Sequence, residues 1–125
     1  MHKREPTGTN DLFLMGVFGV FVREWYNREK PRLVGDMHPK DVKKFFSNED
    51  VNSLPVVDER GFYLGILHYE DFKDAEKTEK AIDYSSNPEF FVEEDDTLED
   101  VALLLMENHE MLVPVLDSQR RLLGC

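Results

Sequence analysis

The sequence is expected to fold as an α+β protein built from two copies of one β-α-β-β-α unit. The first observation is an internal repeat. The segment LPVVD at 54–58 returns as VPVLD at 113–117, and a shift of 59 residues aligns 36–66 on 95–125 without a gap. Asp36, Asp41, Val42, Pro55, Val56, Asp58 and Gly65 recur as Asp95, Asp100, Val101, Pro114, Val115, Asp117 and Gly124. The second observation is phase. Phe45 and Phe46 become Leu104 and Leu105, and Leu64 becomes Leu123, so apolar positions repeat along with the identities, as in a duplicated supersecondary unit. The third is periodicity. Val42, Phe45 and Phe46, like Val101, Leu104 and Leu105, fall at i, i+3, i+4 on one helical face, and a continuous apolar run follows each set.

Each unit opens on a short extended piece, Arg32-Leu33-Val34 in one copy and Phe90-Phe91-Val92 in the other. A helix follows. Pro39 suits its first turn in the first copy, its missing N–H being unneeded there. In the second, Thr97 can cap, with Asp100 three positions on to complete a variant of the capping box. The runs Leu54–Val57 and Val113–Leu116 read as strands buried on both faces. Each of their side chains contributes about 1.5–3 kcal/mol on burial, before entropy is subtracted. The polar turn Asp58-Glu59-Arg60-Gly61 follows, with Gly61 able to supply a positive φ. A second strand spans Phe62–Leu67, and a helix is predicted from near Asp71 through FKDAEKTEKA, residues 72–81. The corresponding strand of the second copy has barely begun at Cys125, which leaves an unpaired sheet edge to be covered.

The bulk properties exclude several functions. A length of 125 residues and a 41% hydrophobic share fit one folded domain with a real core. Fifteen Lys and Arg against 26 Asp and Glu leave a net charge of −11, which argues against binding duplex nucleic acid or an anionic membrane surface. The simplest role of that charge is solubility. The single cysteine, Cys125, allows no internal disulfide, CxxC pair or zinc cluster, and a reducing cytoplasm is the expected home. The apolar run Leu12–Val22 covers 11 residues, short of the roughly 20 a membrane helix needs. It also lacks a small-x-small cleavage site before Arg23-Glu24-Trp25. No Gly-x-Ser-x-Gly, P-loop or His-Glu-x-x-His pattern occurs, so the chain is not expected to be an enzyme. In ENHEM, His109 and Glu110 are adjacent and would not face each other on a helix. The run Glu93-Glu94-Asp95-Asp96 could recruit a cation or simply form a solvated, acidic approach to a helix N-terminus.

The stretches SLPVVDERGFYLGILHYEDF (53–72) and MLVPVLDSQRRLLGC (111–125) resemble the cystathionine-β-synthase (CBS) domain, which typically occurs as a tandem pair, the Bateman module. The family motif is a Pro-Val-hydrophobic-Asp strand, a turn, then Gly-hydrophobic-hydrophobic-Ser/Thr-x-x-Asp. The resemblance covers about residues 31–125, with the second repeat incomplete. It divides the chain into an apolar N-terminal segment (1–30), repeat 1 with a linker helix (31–81) and repeat 2 (82–125). It implies two repeats packed sheet to sheet about a pseudo-twofold axis. The function it implies is regulatory and non-catalytic. An adenosine-containing ligand, such as AMP, ADP, ATP or S-adenosylmethionine, would bind in the inter-repeat cleft. Homodimers would pass occupancy to a regulated protein that the sequence does not name. The other reading is a ligand-free dimerisation or interaction module.

The resemblance carries over to five residues. Gly65 matches the motif glycine, where ligand or backbone can approach closely. Asp71 matches the ribose-binding acid, able to accept hydrogen bonds from both hydroxyls, and could equally cap the following helix. His68 stands where the family has Ser or Thr facing a phosphate; it could donate to one, or be an exposed histidine at a strand end. Val34 and Val57 would line the adenine slot or serve only as core. Counterparts of His68 and Asp71 would fall at 127 and 130, so at most one such site is expected here. Because the chain is acidic, AMP or an adenosyl ligand with an uncharged tail is expected over ATP. The segment LFLMGVFGVFVREWYNRE has no counterpart in the repeat register, yet GVFVREW loosely echoes GILHYED. Residues 14–22 are therefore expected either to supply the vacant strand or to form an apolar helix over the sheet or a dimer interface.

Overall fold

The computed structural model describes residues 20–125. Repeat 1 holds β1 (Leu33–Val34), α1 (Pro39–Asn48), β2 (Ser53–Val57), β3 (Tyr63–His68) and α2 (Tyr69–Phe72). A 3₁₀ turn (Ala81–Tyr84) and β4 (Ser85–Ser86) lead into repeat 2, with β5 (Val92–Glu93), α3 (Leu98–Asn108), β6 (Val115–Leu116) and β7 (Leu122–Gly124). The strands form two sheets, ordered β1-β2-β3-β4 and β5-β6-β7. β1 runs parallel to β2 and β5 to β6; the remaining pairs are antiparallel. Leu33 pairs with Val56 as Val92 pairs with Val115, and both sheets carry an irregularity at the same place, Val56/Val57 and Val115/Leu116.

The 59-residue shift maps backbone hydrogen bonds onto each other, and these bonds define the pseudo-twofold axis. Phe62 bridges Arg121; beside that bridge Tyr63 N donates to Arg120 O and Leu122 N to Gly61 O, both at 2.9 Å. Alternation along β2, and along β3 with its phase broken at Leu64/Gly65, divides their side chains between two cores. Leu54, Val56 and Leu67 face α1 with Leu33, Val42, Phe46 and Phe72. Val57, Tyr63 and Ile66 meet Phe90, Leu116 and Leu122 of repeat 2. Every residue of β2 is buried, as its unbroken apolar run predicts for a strand covered on both faces.

The repeat register extends upstream to Val22, where none was expected. A 3₁₀ turn at Val22–Glu24 matches that at Ala81–Tyr84. Val22 N and Arg23 N donate to Asp96 O and Glu94 O, as Ala81 N and Ile82 N donate to Met37 O and Gly35 O. The segments are exchanged: Ala81 is buried in the core of repeat 1, and Val22 in that of repeat 2 with Val92 and Val115. Asn27 and Cys125 exchange two backbone bonds, so the edge of β7 is covered as β4 covers β3. The strand expected over 14–22 is corrected in part. Phe21 makes only an isolated bridge to Thr97, and residues 14–19 lie outside the described residues.

Two helices differ from expectation. The helix predicted through 72–81 is a single turn at Tyr69–Phe72, because Ala81 must reach the repeat 1 core by way of the turns that follow. In α3, Thr97 and Asp100 form the expected capping box, yet no residue of the helix is buried, and Leu103 and Met106 face solvent. α1 buries Val42 and Phe46, the latter with its ring 5.3 Å from that of Tyr69, and α3 has no such cover among the described residues. The piece expected at Phe90–Val92 shifts to β5 (Val92–Glu93), and Val113–Leu116 shortens to β6.

Both turns at the axis are built on an aspartate. Asp58 Oδ1 accepts from Arg60 N and Phe62 N, and Asp117 Oδ1 from Gln119 N and Arg121 N. Gly61 has φ +93°, as predicted, and Arg120 adopts φ +71° in the same role. The Arg121 backbone N–H, followed by that of Gln119 and by the Arg121 side chain, holds the Asp117 carboxyl below its ordinary range. A depressed carboxylate contributes stability that is present above its unfolded pKa, about 4, and is lost as pH falls through the folded value. Thermal melts of wild type and Asp117→Asn are expected to converge as pH drops from 5 to 3; parallel curves would refute this.

Candidate functional site

β3 and α2 bring two of the predicted residues, His68 and Asp71, together on the wall of one cavity. His68 ends β3, and Tyr69 N, the first of α2, donates to Asn52 O at 2.9 Å. Phe72, fully buried, anchors the turn from below. Asp71 is thereby presented outward with its side chain 67% exposed. It is not a helix cap: His68 holds that position, and Asp71 lies within the first turn. Asn52, His68, Tyr69, Glu70 and Asp71 line a cavity of about 400 Å³. A second cavity of about 430 Å³ shares Asn52 and continues along the cleft past Ser53, Met111 and Cys125, with Lys30 on its wall. Burial pushes the Cys125 thiol up to about 11 despite nearby Arg32 and Lys30, so it remains a neutral thiol.

His68 is not a free histidine at a strand end. Its Nε2 lies 2.9 and 3.1 Å from the two carboxylate oxygens of Glu110, and its Nδ1 is 3.9 Å from Asp71 Oδ2. Asn87 Nδ2 donates to Glu110 Oε2 at 2.9 Å. The Glu110 side chain is 4% exposed, so one buried carboxylate from repeat 2 ties together the end of β3 and the segment after β4. Sequence reasoning missed Glu110. Its neighbour His109 ends α3 in the left-handed region, φ +56°, so Glu110 leaves the helix and reaches the cleft. The signal was present as a helix-stopping polar pair before an apolar run. Tyr63, whose hydroxyl donates to Phe90 O at 2.9 Å, is raised well above the usual phenol range by burial and then by the Glu110 charge.

The other predicted residues separate. Gly65 has φ +145°, and a Cβ there would stand 2.6 Å from Ser86 O, so the close approach it permits is that of β4 backbone. Val57 is buried in the inter-repeat core, and Val34 is half-buried on β1. The run Glu93–Asp96 is neither bare nor a metal cluster. Asp95 pairs with Arg23, Glu94 accepts from Tyr26 Oη at 2.5 Å and lies 3.3 Å from Arg28, and Asp96 accepts from Glu93 N. No group of three or more His, Cys, Asp or Glu side chains suited to a metal occurs among the described residues. No helix among them is long and apolar enough to cross a membrane.

Comparison with known proteins agrees with this geometry. Among curated proteins none matches the chain in sequence. A CBS domain pair/ACT domain protein from Thermotoga maritima superposes with a TM-score of 0.78 at 27% identity, over 84% of this chain and 87% of that one. The cytosolic domain of the Mg²⁺ channel MgtE, solved in complex with ATP, gives 0.74 at 25% identity over 89% of this chain and 47% of that one. CBSX2 in complex with AMP gives 0.74 at 20% identity over 85% and 88%, a likeness of fold. The CBS domain family model matches twice, at residues 22–77 and 81–125, starting in each copy at its 3₁₀ turn. The chain belongs to the CBS domain family and is a tandem CBS pair.

Proposed function

We propose that this CBS pair is a regulatory, non-catalytic module that binds an adenosine-containing ligand in the cleft beside Asp71 and signals occupancy through the geometry of a homodimer. The observation that carries this reading is Asp71. It stands at the mouth of a cavity of about 400 Å³, and its only polar partner among the described residues is the His68 ring at 3.9 Å. An aspartate so placed can accept hydrogen bonds from two vicinal hydroxyls at once. Relatives of the same fold are known in complex with AMP and with ATP. In this reading Gly65 and Val57 shape the cleft as core residues, Val34 lines its wall, and no metal or catalytic group is required.

Calorimetric titration with adenosine, AMP, ATP and S-adenosylmethionine tests it. Wild type is expected to bind at least one of them saturably. Asp71→Ala is expected to bind it at least tenfold more weakly, since each hydrogen bond to a charged acceptor is worth about 1.5–3 kcal/mol. A second reading, an interaction module without a ligand, is favoured by the exposed apolar side chains Leu103, Met106 and Met111. A folded dimer that takes none of the four ligands would decide for that reading.

A further inference from the structure

From the contacts around His68 we infer that Glu110 sets the charge of the ligand, so that the cleft accepts adenosine derivatives with a neutral or cationic 5′ substituent and rejects 5′ phosphates. The inference rests on the adenosine-binding reading above and deepens it. With a ribose held at Asp71, His68 is the side chain beside it, and one of its two ring nitrogens, Nε2, is already committed to Glu110. Nε2 points at both oxygens of Glu110, and Nδ1 is turned to Asp71. Glu110 itself is held by Asn87 Nδ2 and is buried, so solvent screens its charge poorly. The cavity lining contains Glu70 and Asp71 and neither Lys nor Arg. Lys73, the cation that follows α2 in sequence, is engaged at 3.1 Å by Glu70. A phosphate brought to His68 would therefore sit among the like charges of Glu110, Asp71 and Glu70. An ammonium or sulfonium group would instead be attracted by Asp71 at the rim and, through His68, by the charge of Glu110 behind it.

The test titrates adenosine, AMP and 5′-amino-5′-deoxyadenosine, whose substituent is an ammonium, into the full chain and into Glu110→Gln. The substitution keeps side-chain length and hydrogen-bonding atoms while removing the charge. Wild type is expected to bind AMP at least about tenfold more weakly than adenosine, and the amino compound more tightly than either, as like and opposite charges a few ångströms apart at an effective dielectric of about 20 suffice to produce. Glu110→Gln is expected to bring AMP to within about threefold of adenosine. If AMP binds wild type as tightly as adenosine does, the inference falls, whatever the variant does. It falls too if the AMP-to-adenosine ratio is the same in both proteins. If folded wild type binds none of the three, the proposed function itself fails and takes the inference with it.

Discussion

Gly65→Ala is expected to destabilise the protein by about 2–4 kcal/mol, and Gly124→Ala by a similar amount. At Gly65 two costs coincide. The φ of +145° is one that L side chains rarely adopt, and the added methyl would stand 2.6 Å from Ser86 O and 3.2 Å from Ser86 N. Both neighbours are backbone held in the β3–β4 ladder, so the clash is relieved only by moving a strand. At Gly124 the Cβ would lie 2.4 Å from Asn27 O and 2.9 Å from Arg28 Cα, against the segment that covers β7. Gly61 is the control: its φ is +93°, but nothing lies within 4 Å of a Cβ, so alanine there costs only backbone strain, about 1 kcal/mol. Urea unfolding of the three variants should rank Gly61→Ala well above the other two in stability. Equal midpoints for all three would mean that the exchange of edge segments between repeats does not constrain these glycines.

Phe72→Ala is expected to cost about 3–5 kcal/mol, the range for emptying a fully buried aromatic site. Phe72 is 0% exposed and meets Tyr84 edge-on, ring centroids 5.1 Å apart at 87°. It joins the helix side of repeat 1 to the segment that β4 continues. The substitution also bears on function. α2 is one turn long and has no side-chain cap, so its position depends on the Phe72 anchor and on Tyr69 against Phe46. Without that anchor Asp71 loses its fixed place at the cleft. Hydrogen exchange of the Tyr69–Lys73 amides should become fast, and the affinity for adenosine should fall with it. A loss of stability under about 1.5 kcal/mol with ligand affinity intact would show that α2 is held by something else.

Much of this fold was legible because its signals are local or repeated. Thr97 and Asp100 make a capping box through atoms three residues apart, and Pro39 starts α1 because nothing in a first turn needs its N–H. The long apolar run of β2 reads as burial on both faces, and it is buried on both. The helix expected over 72–81 failed for the opposite reason. Its charged, helix-favouring residues were outweighed by the need to bring Ala81 and Tyr84 against Phe72. His68 and Asp71 were singled out by motif, since their spacing lies within one strand end and one turn. Glu110 was not, because its partners His68 and Asn87 are 42 and 23 residues away.

The 59-residue shift, the helical spacing and the paired apolar runs were enough to establish two like units of mixed α and β structure, since each depends on neighbours along the chain. Tertiary structure alone decided which unit each edge segment completes. Val22 and Asn27 complete the core and the sheet edge of repeat 2, and Ala81 and Ser86 those of repeat 1. It also decided that a carboxylate of repeat 2 faces the histidine of repeat 1. Both are contacts across the pseudo-twofold axis, where buried backbone and a buried charge had to find partners, and the chain reaches those partners only by folding one repeat against the other.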